Sequence, residues 1–137
     1  MKFFYFKKDS GLSPYDDEAR EGFKKFTPGD VLSIEVKRVR NYNHHKTMFR
    51  LINLVLENTD RFSNKTQVLD YLKFKVGEYT TRIIDQTVIT ELNSISFDSM
   101  DQDHFNVFFS DSINVILTDL LPGNTREEIV NEVLRHG

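Results

Sequence analysis

The sequence predicts an α+β fold: a small antiparallel sheet packed against about four helices, in a single domain spanning 1–137. Three observations carry this reading. FFYF (3–6), VLSIEVKRV (31–39) and YTTRIIDQTVITEL (79–92) are rich in β-branched or aromatic residues and read as strands. Longer segments repeat apolar residues at three- and four-residue intervals and read as helices. Strands come first, then helices, with a few strands between them.

FFYF opens the chain as a strand, and Ser10-Gly11 follows as a turn. SPYDDEAREGFKKF then holds a short helix: Pro14 suits a helix start, acids fill the first turn, and Lys24 and Lys25 fall in the last. Thr27-Pro28-Gly29-Asp30 is a turn. In 31–39, Val31, Ser33, Glu35 and Lys37 alternate with Leu32, Ile34, Val36 and Arg38, as in a strand with one buried face. Asn41 or Asn43 caps a helix running to about Asn58, with His45, Met48, Phe49, Leu51, Ile52, Val55 and Leu56 at helical spacing. A second such helix occupies 64–76 and ends at Gly77. Residues 79–92 read as a hairpin turning at Asp85-Gln86.

SISF (94–97) is a short strand or an extended lead-in to a long helix. Ser99 is expected to cap that helix, with Gln102 completing a capping box. Its inner stripe is Phe105, Phe109, Ser112, Ile113, Ile116, Leu117 and Leu120, and Pro122-Gly123 breaks it. Thr125 with Glu128 opens the last helix, with Ile129, Val130, Val133 and Leu134 inward.

Composition bounds the function. With 137 residues, 39% of them hydrophobic, and twelve Phe, the chain can build a core. The absence of cysteine excludes disulfides, thiolate chemistry and cysteine-based zinc sites. MKFFYFKK has too short an apolar run for a signal peptide or a membrane span, so a soluble, cytoplasmic protein with no membrane partner is expected. The charge is unevenly spread. Residues 1–60 carry net +2 and residues 61–137 net −5, with no Lys or Arg between Arg82 and Arg126.

Little in the chain points to catalysis. There is no phosphate-cradling glycine loop and no nucleophile elbow. The four histidines, 44, 45, 104 and 136, include no pair at helical ligand spacing, so no metal site and no cofactor are expected. Asp30 followed by Glu35-Val36-Lys37 has the residue types of a nuclease centre, in which two carboxylates hold a divalent ion. Its five-residue spacing is short for that role, and the reading is set aside. The chain is therefore taken as a binding protein and not an enzyme. Residues 37–50, KRVRNYNHHKTMFR, gather five cations and no carboxylate. Cations interleaved with an aromatic and amides suit a nucleic-acid backbone with some base stacking. Arg38 and Arg40 could instead pair with Glu18, Glu21 or Asp70.

RNYNHHKTMFRLINLVLEN (40–58) resembles a segment of phage and prophage proteins in the family called domain of unknown function thirteen-sixty-seven. That segment carries an Arg-Asn, a His-basic pair, two large apolar residues and Leu-Asn-Leu. Arg40, Asn41, His45, Lys46, Met48, Phe49, Leu51, Asn53 and Leu54 occupy those places. SISFDSMDQDHFNVFFSDSINVIL (94–117) resembles a second block of the family through Ser94, Ser96, Phe97, Met100, Asp101 and Phe105. More distantly the chain is similar to the phage NinB recombination proteins, which are associated with single-stranded DNA. The resemblance implies a phage protein acting in the bacterial host cell. Its expected partner is single-stranded DNA or RNA, held by Lys37, Arg38, Arg40, Asn41, Tyr42, His45, Lys46 and Arg50. The alternative is a phage inhibitor of a host defence complex, CRISPR-like systems included. It would bind a host nucleic-acid-handling complex through an acidic surface of Asp98, Asp101, Asp103, Asp111 and Asp119. A homodimer is compatible with either reading.

Overall fold

The structure is a computed structural model that describes residues 2–135, so His136 lies outside the described residues. The chain divides into two compact units, 1–36 and 37–137. Among the described residues there are five helices and two separate two-stranded antiparallel sheets, and the class is α+β as expected.

In the first unit, β1 (Tyr5–Lys8) pairs with β2 (Gly11–Pro14) through the registers Tyr5↔Pro14 and Lys8↔Gly11. The expected strand 3–6 is thus shifted, and the turn is Asp9-Ser10. Glycine at 11 is the first residue of the returning strand. Pro14 ends β2 instead of starting a helix, which is tolerated because β2 is an edge with no further strand to receive an N–H. Helix α1 (Asp17–Phe23) starts one turn later, where the Asp16 carboxylate accepts the Ala19 N–H at 2.9 Å. Tyr5 Oη donates to the Ala19 carbonyl, holding α1 on the hairpin. A Cβ at Gly22 would meet the tip of the Phe3 ring, which would have to shift to admit a larger residue. The expected turn at 27–30 forms: Asp30 N–H donates to the Thr27 carbonyl, and Gly29 takes φ +96°.

The expected strand 31–39 does not form. Residues 31–40 are neither helix nor strand, and Val31, 99% exposed, Ile34, Val36 and Val39 all face solvent. Alternation encodes a preference for a pleated surface, but a strand exists only where a neighbour supplies the ladder.

The second unit holds the core. Helix α2 (Tyr42–Asn58) is capped by Asn41, whose side chain accepts the His44 N–H. It buries Met48, Leu51, Ile52 and Val55 at i, i+3, i+4, i+7. Helix α3 (Lys65–Val76) is capped by Asn64, ends at left-handed Gly77, and contributes Val68 and Leu72. Next, β3 (Tyr79–Ile84) and β4 (Thr87–Leu92) form the expected hairpin. Its turn residues Asp85 and Gln86 both take positive φ, 49° and 65°.

Helix α4 (Gln102–Val115) continues as one π-helical turn, 116–120, before the break at Pro122-Gly123. Its cap is Asp101 and not Ser99. The Asp101 carboxylate accepts the His104 N–H at 2.8 Å, while Ser99 is used in a turn with Ser96. Phe105, Phe108, Ile113 and Ile116 are fully buried, whereas Phe109, expected inward, is half-buried. Helix α5 (Arg126–Arg135) is capped by Thr125 and buries Ile129 and Val133, but Leu134 is exposed. α2 packs on α3 and α5, and α4 packs on the same two helices. Among the described residues no helix is long and apolar enough to cross a membrane.

Candidate nucleic-acid interface

The basic segment separates into a buried half and an exposed half. Arg40, expected on the surface, is 7% exposed. Its Nη1 donates to the carbonyls of Ile95 (2.8 Å) and Met100 (3.1 Å), and its Nη2 donates to His45 Nδ1 (2.8 Å). The guanidinium lies 3.7 Å from the centre of the Phe105 ring. This arginine holds the 95–100 loop to the start of α2 and has no fork left for a phosphate. The role assigned to Arg40 in nucleic-acid contact is therefore corrected to a structural one. Its carbonyl partners are separated from it by more than fifty residues, which no local pattern reveals.

Gln102 completes the clamp. Its Oε1 accepts the Asn41 backbone N–H at 2.5 Å, so its amide nitrogen faces His44 Nδ1 (2.9 Å) and Asn106 Oδ1 (2.7 Å). Both histidines thus accept at Nδ1 and carry their proton on Nε2. Burial, and then the neighbouring Arg40 cation, hold both imidazoles below their ordinary pKa. His45, named above among the nucleic-acid-holding residues, has its Nδ1 committed to Arg40.

Beside the clamp, the exposed rings of Tyr42, Phe49 and Phe97 meet around the partly buried His45 at the start of α2. Phe49 lies 5.1 Å from His45, His45 lies 5.0 Å from Phe97, and Phe97 lies 6.2 Å from Tyr42. Tyr42 is 60% and Phe97 45% exposed. Lys46 Nζ sits 4.7 Å from the centre of the Tyr42 ring. Tyr42, Lys46 and Arg50 follow at i, i+4, i+8 on one flank, and the first turn of α2 has no acidic residue. The chemistry on offer is aromatic faces for stacking with cations beside them. Phe97 was not among the residues expected at this surface. The resemblance of 94–117 includes it, but only as one residue of another segment.

Arg38 is exposed and pairs at 2.9 Å with Asp103, not with Glu18, Glu21 or Asp70. Basic and acidic candidates thus meet at this point. Two of the other acidic candidates have their carboxylates engaged. Asp101 is the cap of α4. Asp119, in the π-helical turn, accepts from Tyr71 Oη at 3.2 Å and lies 3.8 Å from Lys75. Asp98 is exposed and Asp111 half-buried. The nuclease-like residues are not organised on a strand, since none forms at 31–39. Both Asp30 carboxylate oxygens are bonded to Thr27.

Residues 3–67 match the model of a family described as a protein of unknown function, DUF1367. The matched stretch contains the whole of Lys37–Arg50 and α2, and stops before 94–117, so it supports the first block of the resemblance. No curated protein and no solved structure matches the chain.

Proposed function

We propose that this protein binds single-stranded nucleic acid without catalysing a reaction, through the exposed flank of α2. The observation that carries the reading is the row Tyr42–Phe97–His45–Phe49 with Lys46 over Tyr42. Unpaired bases present π faces that stack on such rings whatever their sequence, and phosphates supply the charge that Lys37, Lys46 and Arg50 attract. Asn41 and Arg40 serve by shaping this surface, not by touching the ligand. A phage-encoded, recombination-associated role in the bacterial cytoplasm is the finer reading. It rests on the likeness to the DUF1367 and NinB proteins, and the match over 3–67 supports the first of these.

Fluorescence anisotropy with labelled oligothymidylate tests the proposal. Tyr42→Ala should weaken binding about tenfold with little change in salt slope. Lys46→Glu should reduce the slope of log affinity against log salt by about 0.7 for the lost phosphate contact. Wild-type protein that ignores the oligonucleotide at about 50 mM salt, where electrostatic binding is favoured, would end this reading. The defence-inhibitor reading through Asp98, Asp101, Asp103, Asp111 and Asp119 would then take its place.

A further inference from the structure

The first unit carries a second surface with the same chemistry, on a different element. Along β1 the alternation places Phe6 and Lys8 on one face of the hairpin; Phe4, just before the strand, joins that face through Tyr15, and Lys2 is exposed in the extended lead-in. Across the strand pair, Phe6 stands opposite Ser13 and Lys8 opposite Gly11, while the Tyr15 N–H donates to the Phe4 carbonyl. Tyr15 therefore joins the same face. Its ring lies 5.0 Å from Phe6 and 6.4 Å from Phe4. The opposite face is the one that holds α1, through Tyr5 against Ala19 and Phe23. The outer face is covered by nothing within the unit: Phe4 is 46%, Phe6 52% and Tyr15 59% exposed.

Three touching aromatic rings left half in water on a strand pair are costly unless something covers them. The charges around them indicate what. Residues 2–15 carry Lys2, Lys7 and Lys8 against one carboxylate, Asp9 in the turn, and Asp16 beyond them has its carboxylate engaged in capping α1. We infer that the outer face of the β1–β2 hairpin is a stacking platform for single-stranded nucleic acid, with Phe4, Phe6 and Tyr15 receiving bases and Lys2 and Lys8 the flanking phosphates. Bases match the rings, phosphates match the lysines, and an open, flat strand pair gives both without a preformed pocket. This inference rests on the single-strand reading proposed above, but on residues of the other unit.

The full chain and labelled oligothymidylate suffice for the test. Phe4→Leu with Phe6→Leu keeps apolar bulk on the hairpin while removing the π faces, and should weaken binding about tenfold with the salt slope retained. Lys2→Gln with Lys8→Gln should lower the slope by about 0.7 for each lost contact. Two-dimensional NMR of each variant should show an intact hairpin, and Phe4→Tyr with Phe6→Tyr should restore binding. If the leucine and glutamine variants bind like wild type while Tyr42→Ala loses affinity, the platform is overturned and the α2 reading survives. If the leucine variant loses affinity while Tyr42→Ala does not, the platform stands and the α2 reading falls. If the wild-type chain sediments as a dimer that the leucine variant dissociates, with oligonucleotide binding unchanged, the face belongs to a second copy and the inference is overturned.

Discussion

Arg40 donates to two backbone carbonyls and one imidazole, and its face lies on Phe105. Arg40→Met would keep much of the side-chain volume but orphan those carbonyls. The expected loss is about 2–4 kcal/mol, read as a lower denaturation midpoint at unchanged m-value. Arg38→Glu should change stability by less than about 1 kcal/mol, since its ion pair with Asp103 is exposed. The two arginines are two residues apart and look alike in the sequence. Only the distant partners of one distinguish them. The histidines give a pH prediction. Their folded pKa values lie below the ordinary 6.5 because burial and then Arg40 oppose a second cation. Below pH 6.5 the unfolded chain binds protons that the folded chain refuses, so stability is full above about pH 6.5 and falls as pH drops through the folded values. His45→Gln offers Arg40 an amide oxygen that cannot titrate, and chemical denaturation across pH 5–7 should show a shallower loss than wild type. An equal or steeper loss would contradict the assigned hydrogen bond.

Helices were legible in the sequence because their signals are local. Asn41, Asn64 and Gly77 mark ends, and a three-to-four spacing marks the faces of α2 and α3. The hairpin at 79–92 was legible from β-branched content, although Asp85-Gln86 is poor chemistry for a turn with two positive φ angles. That mismatch is itself testable. Gln86→Gly removes the strain of a left-handed non-glycine residue and should stabilise the hairpin by about 1 kcal/mol, seen as slower amide exchange across β3 and β4. The strand expected at 31–39 was not legible, because a ladder depends on a partner that alternation cannot name. Its amides should exchange far faster than those of α2, and protection equal to the helix would show that a strand forms there after all. The cap of α4 was misplaced by two residues for a smaller reason. Ser99 and Asp101 are both good caps, and the turn at Ser96–Ser99 leaves the helix to Asp101. The candidate site was half legible for the same cause. Tyr42 and Lys46 are set by the period of one helix, whereas Phe97 reaches them from a segment some fifty residues away.

At the scale of the whole molecule the apolar burial is one-sided. Every member of the buried cluster, from Met48 to Val133, belongs to the second unit, and the Arg40–Gln102 clamp lies there too. The first unit buries only Ala19 among its described residues. A four-residue strand pair and a seven-residue helix are below the size at which a chain sustains a fold alone. The division predicts an asymmetric outcome for two fragments. Residues 37–137 should fold by themselves, with a cooperative transition within about 1 kcal/mol of the full chain, because the deletion removes no core side chain. Residues 2–36 should show no cooperative transition by circular dichroism and collapsed NMR dispersion. In the full chain Ile116→Asp should abolish the transition of the second unit, since it places an unpaired charge in a fully buried site and costs several kcal/mol. A 37–137 fragment that is itself unfolded would mean that the stability of the core depends on residues outside it. That result would overturn the assignment of folding to the second unit, while leaving the stacking surfaces of α2 and of the hairpin to be judged by their own variants in the full chain.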